Sequence, residues 1–115
     1  MLTVYGIRQC DTCRKTLKWL EQQGVEHHFH DLRADGLDRT MAKSWLGSDV
    51  ADKLVNRRST TWRQLDEAQR ESKDMAGLLV QHPTLVKRPV FERDGNVIAV
   101  GFGAKEQDLL GKRGL

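Results

Sequence analysis

The chain has 115 residues, of which 38% are hydrophobic, and its 19 basic and 16 acidic residues give a formal net charge of +3. A chain of this length forms one compact domain, here residues 1–115, that buries roughly two-thirds of its unfolded surface. The absence of a membrane-length apolar run, of a signal-like N-terminus and of a long basic run predicts a cytoplasmic protein that contacts neither membranes nor nucleic acid directly.

The first two predicted elements are a buried strand and a helix, and both cysteines of the chain fall where one gives way to the other. The strand is Leu2–Tyr5, which is apolar and β-branched, and Gly6 closes it. The helix runs from about Thr12 to Gln23 and ends at Gly24. A Cys-x-x-Cys motif at the start of a helix is typical of reactive thiols.

The helical spacing separates the two sulfurs of this motif. Cys13 shares a helical face with Leu17 and Leu20 and is predicted to face the core, whereas Cys10 lies at or just before the first turn. Free backbone N–H groups and the positive end of the helix dipole favour an anion there. They lower thiol pKa values from about 8.5 to roughly 3.5–7.5. We therefore predict that Cys10 is the nucleophile and Cys13 the resolving thiol.

Inert thiols, a zinc site and a structural disulfide are the alternatives for the cysteine pair. A zinc site would recruit His27 and His30, but these histidines are separated by two residues where three to five are usual. A structural disulfide would close a very small loop in a chain that is large enough to have a core. We favour a redox pair over these alternatives and predict no metal.

A second strand and a series of short helices are predicted next. The segment from Val25 to Asp31 alternates in polarity and completes a βαβ unit. A helical insert of about 38–82 follows. Its first helix is Asp38 to Leu46, with Asp38 as N-cap and Met41, Ala42 and Trp45 on one face, and its second is Asp49 to Val55. A helical turn follows in which Thr61 and Gln64 form a capping box. The last helix carries an apolar stripe of Met75, Leu78 and Leu79 and ends at His82-Pro83.

The last predicted elements are a hairpin and a helix. The hairpin joins Val90–Glu92 to Val97–Val100 around Arg93-Asp94-Gly95-Asn96, and the helix runs from Ala104 to Lys112. The order βαβ, helical insert, ββα is that of an α/β, thioredoxin-like fold with a four-stranded mixed sheet. In this architecture the proline before the third strand is often cis and faces the reactive cysteine. Pro89 occupies this place, so we predict a cis peptide bond before it.

Short motifs run along nearly the whole chain. They are Tyr5-Gly6-Ile7 before Cys10, Asp11-Thr12 after it, Phe29-His30-Asp31 with Arg33 and Gly36-Leu37, Thr60-Thr61-Trp62-Arg63 with Leu65-Asp66, and His82-Pro83 leading to Lys87-Arg88-Pro89-Val90. In combination they resemble the arsenate reductase C (ArsC) family, nearest its YffB branch. The resemblance implies a thioredoxin-like domain in which a cysteine matching Cys10 attacks an oxyanion, with glutathione and glutaredoxin completing the reduction.

The same resemblance assigns further site residues and shows two departures. The anion-binding arginines of the family fall on Arg57, or its neighbour Arg58, and on Arg88. A third arginine of the arsenate reductases falls near Gly101, which argues against arsenate as a substrate. Cys13 is also unusual for those reductases; the pair is instead shared with the Spx regulators, which resemble this fold and use Cys-x-x-Cys as a redox switch on RNA polymerase.

Two functions of different class follow. We expect a glutathione-dependent thiol–disulfide oxidoreductase, in which Cys10 attacks a disulfide or oxidised substrate and glutathione or Cys13 resolves the intermediate. Arg57, Arg88 and Pro89 would line the substrate site, with guanidinium groups pairing with glutathione carboxylates. Glutathione is then a co-substrate, glutaredoxin a partner, and no cofactor is tightly bound. The alternative is an Spx-like redox sensor that binds RNA polymerase without turnover, for which the sequence offers no contact surface.

Overall fold

The computed structural model describes residues 1–111, and within them the chain forms a single mixed sheet flanked by helices. The strands are β1 (Leu2–Gly6), β2 (His27–Asp31), β3 (Val90–Arg93) and β4 (Asn96–Val100). The helices are α1 (Asp11–Gln22), α2 (Arg39–Leu46), α3 (Ala51–Leu54), α4 (Thr60–Gln64), α5 (Glu67–Arg70), α6 (Met75–Gln81) and α7 (Ala104–Leu110), with a 3-10 turn at Pro83–Leu85. This order confirms the predicted α/β, thioredoxin-like arrangement. The predicted end of the last helix, Lys112, lies outside the described residues.

The sheet has the strand order β2-β1-β3-β4. Strand β1 pairs in parallel with β2 and antiparallel with β3, and β3 pairs antiparallel with β4. The parallel pair requires a crossover, which α1 provides, whereas the β3–β4 pair is a tight hairpin. The hairpin turn contains Asp94 and Gly95 with φ values of 53° and 81°, as the Asp-Gly sequence predicts for a type I′ turn.

Apolar side chains cover both faces of the sheet. One core cluster packs α1 and α7 against the sheet through residues such as Leu2, Leu20, Phe91 and Leu110. The other packs the helices between β2 and β3 against the opposite face and is centred on the buried Trp45. Each fully buried side chain of this size stabilises the fold by roughly 1.5–3 kcal/mol. Among residues 1–111, no helix is long and apolar enough to cross a bilayer.

Most predicted helix boundaries between β2 and β3 are confirmed. Helix α2 begins after Asp38, whose carboxylate accepts a hydrogen bond from the backbone N–H of Met41 at 2.8 Å. Helix α6 buries Leu78 and Leu79 and ends at His82, before the proline. Local capping and periodicity therefore determine these elements, because both act within a few residues along the chain.

The predicted capping box of Thr61 with Gln64 is wrong. Helix α4 begins after Ser59, whose hydroxyl accepts a hydrogen bond from the backbone N–H of Trp62 at 3.1 Å. Thr61 is already inside this helix, and its hydroxyl lies 2.6 Å from that of Thr84 in the 3-10 turn. A capping box does occur one helix later, at the start of α5. The distant contact at Thr84 was not visible from the local pattern.

A short backbone pairing joins the helical region to the segment that precedes β3. Val55 and Val86 form an antiparallel bridge. On either side of the bridge, Asn56 donates to the carbonyl of Leu85 and Lys87 donates to the carbonyl of Leu54, each at 2.7 Å. The pairing fixes the residues just after α3 beside the residues just before Pro89.

Candidate active site

Cys10 stands at the point where the central strand gives way to the first helix. It is the N-cap residue of α1, with extended backbone angles (φ −80°, ψ 123°), and its side chain is half-buried. Its own N–H donates to the carbonyl of Ile7 at 2.9 Å, and its carbonyl accepts from the N–H of Arg14 at 3.0 Å. The sulfur is thereby held at the helix start, where the partial positive charge of the free amides is greatest.

Asp31, at the end of β2, braces the loop that carries Cys10. Its buried carboxylate accepts backbone hydrogen bonds from Arg8 at 3.0 Å, Arg33 at 2.8 Å and Ala34 at 2.9 Å. Burial raises the pKa of this carboxyl, but the three backbone donors and the charge of Arg8 outweigh burial, so its pKa lies below the ordinary value. An ionised Asp31 therefore ties the β1–α1 loop to the end of β2.

Arg14, in the first turn of α1, also holds the loop before Cys10 through hydrogen bonds. Its Nε donates to the carbonyl of Arg8 at 3.0 Å and its Nη2 donates to the carbonyl of Gln9 at 3.1 Å. These two carbonyls immediately precede Cys10. Sequence reasoning missed the positioning role of both Asp31 and Arg14.

The surroundings of Cys10 stabilise its thiolate. Desolvation raises the pKa of Cys10, but the backbone N–H and the thiol of Cys13, together with a hydrogen bond and the charge of Arg88, lower that pKa below its ordinary value of 9.0. The sulfur makes no capping hydrogen bond of conventional geometry, so the amide of Cys13 acts as a nearby partial positive charge. This environment favours the thiolate form of Cys10, and the role of Cys10 as the nucleophile stays a prediction.

Cys13 has the opposite environment. It is fully buried on the core face of α1, and burial, with the nearby charge of Cys10 adding to it, raises the pKa of Cys13 to about 12. The backbone of Ile7 lowers that pKa, but by less than burial raises it. Gly6 makes room for this thiol: a Cβ on Gly6 would lie 2.5 Å from the Cys13 sulfur. Both cysteines are free thiols in the structure.

Arg88 is the predicted site residue that the structure brings to Cys10. Its guanidinium lowers the pKa of the Cys10 thiol, as described above. Its Nε and Nη1 are buried, and no described residue accepts a hydrogen bond from either. Because an unpaired buried donor is costly, a ligand with an acceptor oxygen could pair with these two nitrogens, and the role of Arg88 in binding stays a prediction. The peptide bond between Arg88 and Pro89 is cis, which confirms that prediction; the role of Pro89 in substrate binding stays a prediction.

Arg57 and Arg58 line a neighbouring cleft that does not include the start of helix α1. The guanidinium carbon of Arg57 is 5.4 Å from the centre of the Trp62 ring, a cation–π contact. Arg57, Arg58 and Lys87 all line a cleft of about 420 Å³. The assignment of Arg57 to substrate binding stays a prediction.

The region around Gly101 contains a positive charge that the sequence did not reveal. Gly101 has a φ of 90° and donates its N–H to the carbonyl of Pro89 at 2.8 Å. The Cε and Nζ of Lys87 lie 3.2 and 3.8 Å from the point that a Cβ on Gly101 would occupy. The Oε1 of Glu106 lies 3.9 Å from the same point, so a lysine ammonium and a carboxylate both stand beside the position where the resemblance implies that an arginine is missing.

The histidines considered for a zinc site have other contacts. His27 Nδ1 lies 2.9 Å from the carbonyl oxygen of Val25, and His30 Nε2 lies 2.7 Å from that of Gly36. Across residues 1–111, no group of three or more His, Cys, Asp or Glu side chains is placed to hold a metal. The zinc alternative gains no support from this geometry.

Comparisons with known sequences extend over almost the entire chain. A family model described as "ArsC family" matches residues 5–108. An uncharacterized protein of Haemophilus influenzae is 49% identical over 112 residues, which cover 92% of this chain and 95% of that protein. The global transcriptional regulator Spx 1 of Oceanobacillus iheyensis is 27% identical over 110 residues, or 92% of this chain and 83% of the regulator.

Solved structures give the same result. A structure described as the YffB protein is 34% identical, with a TM-score of 0.83 over 96% of this chain and 98% of its own. The solution structure of an arsenate reductase (ArsC) related protein from Brucella melitensis is 40% identical, with a TM-score of 0.74 over 94% of this chain and 91% of its own. These similarities bear out the resemblance to the ArsC family and its YffB branch.

Proposed function

The chain belongs to the ArsC family, and we propose that it is a thiol-dependent reductase, with Cys10 as nucleophile and glutathione as reductant. The observation that carries this proposal is the contrast between the two thiols: the pKa of Cys10 is lowered beside Arg88, whereas the pKa of Cys13 is raised to about 12. A reductase of this kind needs one thiolate at neutral pH that is accessible to substrate. Cys10 is half-buried and meets that requirement.

The reaction is two successive thiol–disulfide exchanges. The Cys10 thiolate attacks the glutathione sulfur of a glutathionylated substrate, the S–S bond of the substrate breaks, and the released substrate thiolate takes a proton from solvent. A free glutathione then attacks the glutathione sulfur bonded to Cys10, releases its proton to solvent, forms glutathione disulfide and regenerates the Cys10 thiolate, so that one free glutathione is consumed for each substrate reduced. Arg88 pairs with a glutathione carboxylate, for which a guanidinium group is suited. Glutaredoxin is an alternative partner for the second exchange.

Cys13 provides a second route for resolving the intermediate. While Cys10 is a thiolate, its charge disfavours ionisation of Cys13. That charge is lost once Cys10 is bonded to the glutathione sulfur, so Cys13 becomes easier to ionise in the intermediate. Because burial still opposes ionisation, we propose that glutathione resolves the intermediate faster than Cys13 does at neutral pH. This chemistry places the protein in a reducing compartment, and we propose the cytoplasm.

An Spx-like redox sensor is the second candidate. Similarity to Spx 1 over 92% of the chain favours it, and a Cys10–Cys13 disulfide would be its switch. Turnover separates the two candidates, because a sensor needs one oxidation event and a bound polymerase, whereas a reductase cycles with glutathione.

The test is steady-state reduction of a glutathionylated peptide by the full chain with glutathione. We expect multiple turnovers that Cys10→Ser abolishes and that Cys13→Ser retains within a fewfold. No turnover above the rate of glutathione alone would overturn the proposal, and binding of the oxidised chain to RNA polymerase would then favour the sensor.

A further inference from the structure

A basic cleft lies beside the candidate active site, between the C-terminal end of α3 and the segment that precedes β3. Its volume is about 420 Å³. Four cations, Lys53, Arg57, Arg58 and Lys87, line it together with a single carboxylate, that of Asp52, so the titratable side chains on its walls carry a net charge of +3. All five side chains are exposed. Within residues 1–111, none of the four cations forms an ion pair.

The walls of this basic cleft are fixed by backbone hydrogen bonds and by stacking. The two 2.7 Å bonds around the Val55–Val86 bridge hold one wall against the other. Arg58 donates its backbone N–H to the side-chain oxygen of Asn56 at 3.1 Å, and Arg57 lies over the ring of Trp62. These contacts fix the backbone of the cleft walls and the Arg57 guanidinium, and they leave the charges of the four cations unneutralised. A ligand that pairs with them therefore has less disorder to remove.

The basic cleft and the environment of Cys10 are linked by two consecutive residues of the chain. Lys87, on its wall, is the neighbour of Arg88, whose guanidinium acts on the Cys10 thiol. Two nitrogens of that guanidinium are buried without an acceptor among the described residues. Consecutive residues of one segment therefore supply a cation to the basic cleft and a cation to the surroundings of Cys10. A substrate chain whose mixed disulfide is attacked by Cys10 brings the residues that flank its cysteine toward this segment.

We propose that the basic cleft binds acidic side chains that flank the reacting cysteine of a peptide or protein substrate. The inference rests on the proposed function, because it names the substrate class of that reaction. Carboxylates match guanidinium and ammonium donors. The cleft holds a few side chains and has Asp52 on its wall, whereas a nucleic-acid strand requires a longer uninterrupted basic surface.

The test compares three peptides that carry the same glutathione mixed disulfide and differ in two flanking residues, which are Glu, Gln or Lys. We expect kcat/KM to be about tenfold higher for the Glu peptide than for the Gln peptide at low salt, mainly through KM. The Lys peptide is the poorest substrate, and high salt reduces the differences because these contacts are exposed. In one series both variable residues precede the cysteine, and in a second series both follow it.

A second set of peptides replaces glutathione with the uncharged thiol 2-mercaptoethanol. Persistence of the Glu preference assigns the basic cleft to the peptide flank. Its disappearance would assign the cleft to the carboxylates of glutathione and overturn the proposal.

Variants of the cleft provide the matched comparison. Lys53→Gln with Arg58→Gln is expected to reduce the Glu-to-Gln ratio of kcat/KM from about tenfold to near one. Lys18→Gln with Lys73→Gln, which removes two exposed charges outside the cleft, retains the ratio. An unchanged ratio in the cleft variant, or no charge preference in the native chain, would overturn the proposal.

Binding without reaction separates this inference from the proposed function. The same peptides with serine in place of cysteine are titrated calorimetrically, and the Glu peptide is expected to bind about tenfold more tightly than the Gln peptide, in parallel with KM. Binding with that preference but no turnover would overturn the proposed function alone. Turnover with equal affinities would overturn this inference alone, as would tighter binding of a single-stranded oligonucleotide than of the Glu peptide.

Discussion

At the level of single residues, reactivity follows from what surrounds each sulfur. The sequence was sufficient to separate the two cysteines, because Cys13 has core neighbours at helical spacing and Cys10 precedes the first turn. It could not show that Gly6 packs against the Cys13 sulfur or that two nitrogens of Arg88 are buried without acceptors. Those facts depend on contacts between residues that are distant along the chain.

Arg88→Ala is expected to weaken glutathione binding by about 1.5–3 kcal/mol, because it removes a charge-assisted contact. It should also raise the pKa of Cys10, since Arg88 is one of the groups that lower it. Titration calorimetry with glutathione measures the first effect, and Arg63→Ala, an exposed arginine elsewhere, is the control. An unchanged affinity with a folded variant would show that Arg88 has no part in binding.

Gly6→Ala is expected to destabilise the fold by about 1–3 kcal/mol, because the added methyl group would overlap the buried sulfur of Cys13. Gly47→Ala is the matched control, since the nearest atom to its new Cβ would be at 3.5 Å, an ordinary contact. Chemical denaturation gives the free energy of unfolding of each. Equal stabilities of the two variants would mean that the core around Cys13 adapts easily.

At the level of elements, helix caps and hydrophobic periodicity could be predicted from the sequence, but side-chain hydrogen bonds between different elements could not. The start of α2 at Asp38 was predicted correctly, since a cap acts within its own helix. The capping box at Thr61 was wrong because the Thr84 hydroxyl, 23 residues away, is its partner. Asp31 and Arg14 hold the loop before Cys10 through backbone groups, which leave no pattern in the sequence.

Asp31→Asn is expected to reduce the free energy of unfolding at neutral pH by about 1–3 kcal/mol, because an amide nitrogen would face a backbone donor. The pKa of Asp31 is lowered in the fold, so its contribution is present above the ordinary pKa of 3.8 and is lost as the pH falls below it. The difference between native and variant should therefore narrow in acid. Asp49→Asn, at an exposed position, is the control. If the difference in free energy of unfolding between the native chain and the Asp31→Asn variant did not change with pH, Asp31 would not stabilise the fold as an ionised carboxylate.

At the level of the whole molecule, sheet topology assembles the site. Strands β1 and β3 are antiparallel, and Tyr5 pairs with Val90, so the end of β1 that leads to Cys10 lies beside the start of β3 at Pro89. The predicted order of elements was sufficient for this placement. The basic cleft was not predicted, because it depends on pairing between two irregular segments around Val55 and Val86.

Arsenate reduction is expected to be poor compared with reduction of a mixed disulfide. An arsenate adduct concentrates negative charge and needs several convergent donors, whereas the transition state of disulfide exchange spreads charge over three sulfurs. Near Gly101 the cation is the ammonium group of Lys87, which lacks the paired donors of an arginine guanidinium. Steady-state rates with glutathione and glutaredoxin compare the two substrates. Efficient arsenate turnover would mean that Lys87 or Arg58 supplies the absent charge.

Ionisation of the two thiols, measured by alkylation with iodoacetamide across pH, is the most direct test of Cys10 as the nucleophile. Cys10 is followed in the Cys13→Ser variant and Cys13 in the Cys10→Ser variant. Cys10 is expected to react faster, with a midpoint below 9.0, and the midpoint of Cys13 is expected to lie above that of Cys10, because burial still opposes its ionisation in the variant. Equal rates and equal midpoints for the two thiols would contradict the assignment of Cys10 as the nucleophile.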